Sequence, residues 1–230
     1  MNYTKQASGL HCYAYPHPAV TTDIVVFTLR ENHLEVLLIQ RGSPPFQGQW
    51  ALPGGFLEID EDLDVGAARE LVEETGVSDL YLEQLYTFGG KDRDPRERVI
   101  TVAYLALVPT EKLKPVAGSD AAAVGWHPVD QLPPLAFDHH AIIDTARARL
   151  SAKSRYSTIA CQLLPPQFTL GELQAVYEVL RGESLDKRNF RKWILSLDCI
   201  RETGEMRRNG QRRPARLYRA IHPDTVTVFK

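Results

Sequence analysis

Glu70, Glu73 and Glu74 stand at offsets i, i+3 and i+4, which on a helix places three carboxylates on one face. Like charges this close destabilise a bare helix, and burying any one of them unpaired costs several kcal/mol. A divalent cation removes the repulsion, and an all-oxygen donor set suits a hard ion such as Mg2+ or Mn2+. Against a diphosphate, an ion held in this way orients the phosphates, neutralises charge in the transition state and lowers the pKa of a bound water. Phosphoryl displacements need that positioning more than they need covalent chemistry. The spacing therefore points to hydrolysis of a phosphoanhydride. A solvated acidic face is the plainer reading, and the three acids alone leave both open.

These glutamates need a helix beneath them and a rigid approach to it. A glycine loop at Gly54-Gly55 leads into a segment that reads as a helix from about Asp64 to Thr75, with Gly76 as its stop. The stretch fits G-x5-E-x7-R-E-U-x-E-E-x-G-U (U aliphatic) at Gly55, Glu61, Arg69, Glu70, Leu71, Glu73, Glu74, Gly76 and Val77, with no departure. It resembles the signature of the Nudix hydrolase superfamily. The resemblance implies an α/β/α sandwich and a Mg2+ or Mn2+ cofactor on Glu70, Glu73 and Glu74, with the Gly54 carbonyl as a further ligand. It also implies that Arg69 holds a signature glutamate by a salt bridge and that Glu61 is an auxiliary acid. Glu61, Arg69, Glu70, Glu73 and Glu74 are thus the candidate catalytic residues. The general base stays open between Glu70, Glu73, Glu97 and Asp94.

Around the signature, Val20–Leu29, Leu34–Gln40, Leu80–Phe88, Val99–Leu107 and Ala123–His127 read as strands. A closing helix runs from Asp138, the expected cap, to about Leu150. Together they make a mixed α/β domain. Residues 1–18 read as an irregular arm. Substrate choice lies outside the signature. Arg41, at a strand end, is placed for a bidentate phosphate contact, and Gly55 lies beside the same loop. Phe46 and Trp50 flank the entrance and can stack on a base, while Arg93, Arg96 and Arg98 cluster positive charge on the loop 89–98. The alternatives are core aromatics and a solvated arginine loop.

Composition bounds the class. With 43% hydrophobic and 24% charged residues the chain has the make-up of a globular protein. No apolar run has the length of a membrane span, and the N-terminus lacks a secretory core. Cys12, Cys161 and Cys199 have no metal-type spacing and read as reduced thiols of a cytoplasmic protein. The net charge of −2 hides an asymmetry. Residues 1–150 hold 12 Lys and Arg against 21 Asp and Glu, a balance of −9, and residues 151–230 hold 15 against 8, a balance of +7. A sign change of this size indicates two modules, 1–152 and 153–230, the second attracted to polyanions.

The second module begins after a polar connector at 151–157. Residues 158–164 read as a strand. Leu170, Leu173, Val176, Tyr177 and Leu180 repeat at helical spacing behind a Thr169 cap, and Phe190, Trp193, Ile194 and Leu197 stripe a second helix over 185–197. Two strands at 200–203 and 215–221 then flank a basic tip over 204–214. This order describes a winged helix-turn-helix. Its second helix offers Lys187, Arg188, Asn189, Arg191 and Lys192, and the wing offers Arg207, Arg208, Arg212, Arg213 and Arg216, to double-stranded DNA.

Taken whole, the chain is similar to the Nudix-related transcriptional regulators, bacterial proteins governing NAD metabolism or sugar use. The likeness is carried by Arg93-Asp94-Pro95-Arg96, Ala136-Phe137-Asp138-His139, Leu185–Lys192 and Arg213–Arg219. It implies homodimers that bind ADP-ribose, often through a degenerate signature. An intact signature here favours a Mg-dependent pyrophosphatase that cleaves ADP-ribose or a related nucleoside diphosphate derivative to AMP and a sugar phosphate. The alternatives are an ADP-ribose-responsive regulator in which hydrolysis is secondary, and a winged helix that only mediates association.

Overall fold

The computed structural model describes residues 4–5, 11–12, 15–76, 80–112, 121–208 and 214–229. The N-terminal arm is not wholly irregular, since β1 (Thr4–Lys5) pairs with β2 (His11–Cys12). β3 (Ala19–Arg30) and β4 (His33–Arg41) form a hairpin. Its turn residues Glu31 and Asn32 both have positive φ, 49° and 63°, the geometry whose twist matches paired strands. β5 (Trp50–Ala51) and β6 (Gly54–Phe56) follow, then α1 (Leu63–Thr75), β7 (Tyr81–Phe88), β8 (Val99–Leu107), β9 (Ala121–Pro128) and α2 (His139–Ser154).

The strands join one mixed sheet in the order β5-β4-β3-β8-β7, with β6 added on β3 and β9 on β4. β3 and β8 run parallel. Alternation along β3 sorts the core into two layers. Ile24 and Val26 pack with Ala67 and Leu71 of α1. Val25 and Phe27 pack with Ile142, Ile143, Ala146 and Leu150 of α2. The outcome is an α/β/α sandwich with the signature helix on one face.

The basic half contains β10 (Phe168–Thr169), α3 (Leu170–Arg181), α4 (Lys187–Ser196), β11 (Ile200–Arg207) and β12 (Ala215–Ala220), with sheet order β10-β12-β11. Thr169 and Glu172 form a reciprocal capping box on α3. Gly182, at φ 66°, ends α3 in the left-handed conformation and turns the chain into α4. This is a winged helix. Its buried residues Leu173, Val176, Tyr177, Phe190 and Ile194 belong to the same apolar cluster as α2 and the sheet, so one core runs through both modules.

Three further expectations change. Residues 158–163 form a 3-10 helix instead of a strand, started by Ser157, whose hydroxyl accepts from the Ile159 amide. A short apolar run is buried in either form, and periodicity does not distinguish them. The polar connector is helical through Ser154 because its side chains find partners: the Ser154 hydroxyl donates to the Ser151 carbonyl, and Lys153 pairs with Glu83 and donates to the Tyr81 hydroxyl. Finally, β11 continues to Arg207, through the first part of the expected basic tip.

Candidate functional site

α1 buries Ala67 and Leu71 against the sheet. That orientation turns Glu70 toward the glycine loop, where its carboxylate lies behind the backbone of β6. A Cβ on Gly55 would stand 2.4 Å from Glu70 Oε1, and one on Gly54 would stand 2.1 Å from the Thr22 carbonyl oxygen. Gly54 also has φ 153°, a conformation closed to other residues. Both glycines are therefore needed for β6 to lie between the Thr22 backbone and Glu70.

Arg69 organises the acids. Its Nε and Nη2 donate to the two Glu61 oxygens at 2.7 and 2.9 Å, while Nη1 donates to Glu70 Oε1 at 2.8 Å and to Glu73 Oε2 at 3.1 Å. The bond to Arg69 holds the Glu61 carboxyl below the usual range. Burial pushes the Glu70 carboxyl up, against the opposing pull of Arg69. Glu74 is carried by the last turn of α1, and its side chain lies outside the described residues, as do Val77 and the arginines 212 and 213. Among the described residues no three side chains already converge as an ion cage. Each of Glu70 and Glu73 gives one oxygen to Arg69, which leaves one per carboxylate. With the all-oxygen chemistry and the glycine cradle, these residues fit a hard divalent ion.

Across β6 from Glu70 lies a cleft lined by Asp23, Arg41, Gly54, Phe56, Arg96 and Phe137, with Gly55, Arg93, Asp94 and His139 also on its wall. The Arg41 guanidinium sits 4.9 Å from the Phe137 ring centroid, and its Nε donates to the Pro45 carbonyl. Burial and nearby Arg96 lower its pKa. Among the described residues it has no carboxylate partner within salt-bridge distance. Arg96 grips Asp94 with Nε and Nη2 at 3.0 and 2.8 Å yet stays half-exposed, over the Phe56 ring. Two guanidiniums thus face one cleft, the donor type that pairs with phosphate oxygens.

The other expected contacts are reassigned. Arg93 is buried and held by Asp138 at 2.8 Å and Asp23 at 3.1 Å, so it builds the wall and is not a free phosphate ligand. Asp138 stands at the N-cap position of α2 but makes no capping bond, its carboxylate being taken by Arg93. Trp50 is outside the cleft, packed at 4.5 Å on the His127 ring. Phe46 also lies off the wall and buttresses Phe137 edge-on at 4.8 Å. Arg98 is exposed and outside the lining. Sequence reasoning missed Asp23, Phe137 and His139. A lone acid inside the apolar run of β3 was a usable signal for Asp23. The other two lie in the Ala136–His139 stretch that carries the family likeness, but nothing in it assigned them to the cleft, which they reach at the start of α2. Buried His139 accepts a hydrogen bond from the Leu52 amide on Nδ1 at 2.8 Å and turns Nε2 toward Asp23 at 3.5 Å. Burial lowers its pKa.

On the winged helix, the Asp186 carboxylate caps α4 by accepting from the Asn189 amide. Phe190 and Ile194 face inward, so Lys187, Arg188, Asn189, Arg191 and Lys192 all lie on the exposed face. Two wing arginines are partnered. Arg207 donates to Glu172 at 2.8 Å and to the Gln167 carbonyl, tying the wing base to the α3 cap. Arg216 forks onto Glu202 across the ribbon. Arg208 is exposed.

The NUDIX domain family matches residues 18–146, and the NrtR DNA-binding winged helix domain matches residues 160–220. The chain is 37% identical over 227 residues to the ADPR responsive transcriptional repressor NtrR of Acinetobacter baylyi, covering 95% of this chain and 90% of that protein. It is 40% identical to the ADP-ribose pyrophosphatase of Methanocaldococcus jannaschii over 56% of this chain and 73% of the relative. Shewanella oneidensis NrtR complexed with a 27mer DNA superposes with a TM-score of 0.81 at 40% identity, over 89% of this chain and 94% of that one.

Proposed function

We propose, from the premise that this chain belongs to the Nudix family in its NrtR-type, winged-helix branch, that it binds ADP-ribose and hydrolyses it to AMP and ribose phosphate, and that it binds double-stranded DNA. The observation that carries the catalytic reading is the clamp of Arg69 on Glu61, Glu70 and Glu73 beside the Gly54–Gly55 cradle. Glu70, Glu73, Glu74 and the Gly54 carbonyl would hold Mg2+ or Mn2+. When bound, the ion supplies charge neutralisation at the diphosphate and a more acidic water. Arg41 and Arg96 orient the diphosphate, and Phe137 offers its ring to the nucleoside side of the cleft. Asp94 drops out as a base because Arg96 occupies both its oxygens and holds its carboxyl below the usual range. Glu70, Glu73 and Glu97 remain.

The second reading, an ADP-ribose-responsive repressor in which hydrolysis is secondary, is favoured by the near full-length match to a repressor of that description. The two readings share one cleft and one DNA face. We also place the protein in the cytoplasm as a homodimer. Ile59 and Val65 are exposed apolar side chains on the signature face, a surface that a second copy would cover. No helix among the described residues is long and apolar enough to cross a membrane.

The test is turnover of ADP-ribose, other nucleotide sugars and nucleoside triphosphates with Mg2+, run beside DNA-shift assays with and without ADP-ribose. AMP release from ADP-ribose supports the enzyme. A shift that responds to ADP-ribose without turnover supports the repressor, and the absence of both turnover and an ADP-ribose-responsive shift overturns both readings.

A further inference from the structure

A second cavity, of about 550 Å³, opens between the outer end of the Nudix sheet and the wing. Leu107 and Pro109 form its wall on the sheet side, and Pro165, Phe168 and Ile221 form the opposite wall. The volume and lining are those of a small-molecule pocket. Prolines on both walls restrict the local backbone.

Its mouth is cationic. Arg201 of β11 and Arg219 of β12 are directly paired across the ribbon and both line the cavity. Like charges set opposite one another on a ribbon are unfavourable. Two other arginines of this ribbon have carboxylate partners: Arg207 has Glu172 and Arg216 has Glu202. Among the described residues neither Arg201 nor Arg219 has an ion-pair or side-chain hydrogen-bond partner, and Asp224 is the sole carboxylate on the lining. Two guanidiniums against one acid leave the mouth positive in front of an apolar interior.

We propose that this cavity binds a small organic anion, with an apolar body between the sheet edge and Phe168 and a phosphate or carboxylate head on Arg201 and Arg219. The site is separate from the Nudix cleft and requires neither hydrolysis nor DNA binding.

The full chain should be titrated calorimetrically with phenyl phosphate and with 3-phenylpropionate, the two arms separating the head groups. Inorganic phosphate and benzyl alcohol each lack one half. At least one anionic probe should bind at least about ten-fold more tightly than either half, and Arg201→Gln with Arg219→Gln should weaken it by about ten-fold or more. Amide shifts should centre on Leu107, Phe168 and Ile221. Both arginines are exposed, and an unchanged near-ultraviolet spectrum would confirm that the double variant folds. Should that variant misfold, each single substitution gives the same readout. No binding at millimolar probe, binding unaffected by the arginine changes, or shifts centred on Arg41 and Phe137 would overturn the proposal.

Discussion

Arg181 Nη2 donates to the Ser154 carbonyl at 3.2 Å, while its guanidinium lies 4.9 Å from the Tyr177 ring centroid and 5.0 Å from that of Trp193. Ser154 ends α2, and His139, which begins it, stands on the wall of the Nudix cleft. Trp193 belongs to α4, the helix proposed to face DNA. One helix therefore reaches from the cleft to the packing behind the proposed DNA face. Arg181→Met keeps the stem and removes the charge. It should cost about 1–2 kcal/mol of stability and bring the ratio of DNA affinities with and without ADP-ribose toward one, while ADP-ribose turnover stays at the parent rate. Thermal melts and paired DNA titrations check this.

Arg69 should behave as the support of the metal site and Glu73 as part of it. Arg69→Ala is expected to lower kcat or metal affinity by about 10- to 100-fold. Glu73→Gln is expected to lower kcat by orders of magnitude, with ADP-ribose binding retained. Metal-dependence curves separate the two, since added Mg2+ should rescue the first more than the second.

Binding in the cleft should track Arg41 and Phe137 and ignore Trp50. Arg41→Gln should weaken ADP-ribose by about 1.5–3 kcal/mol, the range of a charge-assisted contact, and Phe137→Ala should weaken it less. Trp50→Phe should change stability alone. Calorimetric titration in the absence of divalent ion reads binding without turnover.

On DNA, removing a phosphate contact lowers the salt slope by about one. Lys187→Gln and Arg191→Gln should each do so. Arg207→Ala should instead lower the melting temperature with little change of slope, because its guanidinium is tied to Glu172 and Gln167.

His139 sets an acid limit. Its pKa in the folded chain lies below the ordinary value of 6.5, so the unfolded chain takes up the proton first. Its contribution is therefore present above that ordinary value and is lost as pH falls toward the folded pKa. His139→Asn, which retains an acceptor for the Leu52 amide, should flatten the decline in melting temperature on the acid side of that value.

Much was legible along the chain because the interactions involved are local. The carboxylate spacing of α1, the Gly76 stop and the Thr169 cap depend on neighbours within a turn or two, and they stand where residue type placed them. The continuous apolar runs of β3 and β8 likewise marked them as strands, while the two-layer sandwich was implied by the resemblance to the Nudix signature. What the chain order could not reveal is which of several chemically equivalent groups would meet. Arg41, Arg93, Arg96 and Arg98 are alike as text. Packing gave Arg93 to Asp138 and Asp23, 45 and 70 residues away, left Arg41 over Phe137, and set Arg98 outside the cleft. The same holds for Trp50 and Phe46, whose surroundings come from β9 and from the residues leading into α2. Ion pairing and ring packing act over a few ångströms between segments distant in sequence, so local pattern supplied the kind of site and the folded contacts selected its members.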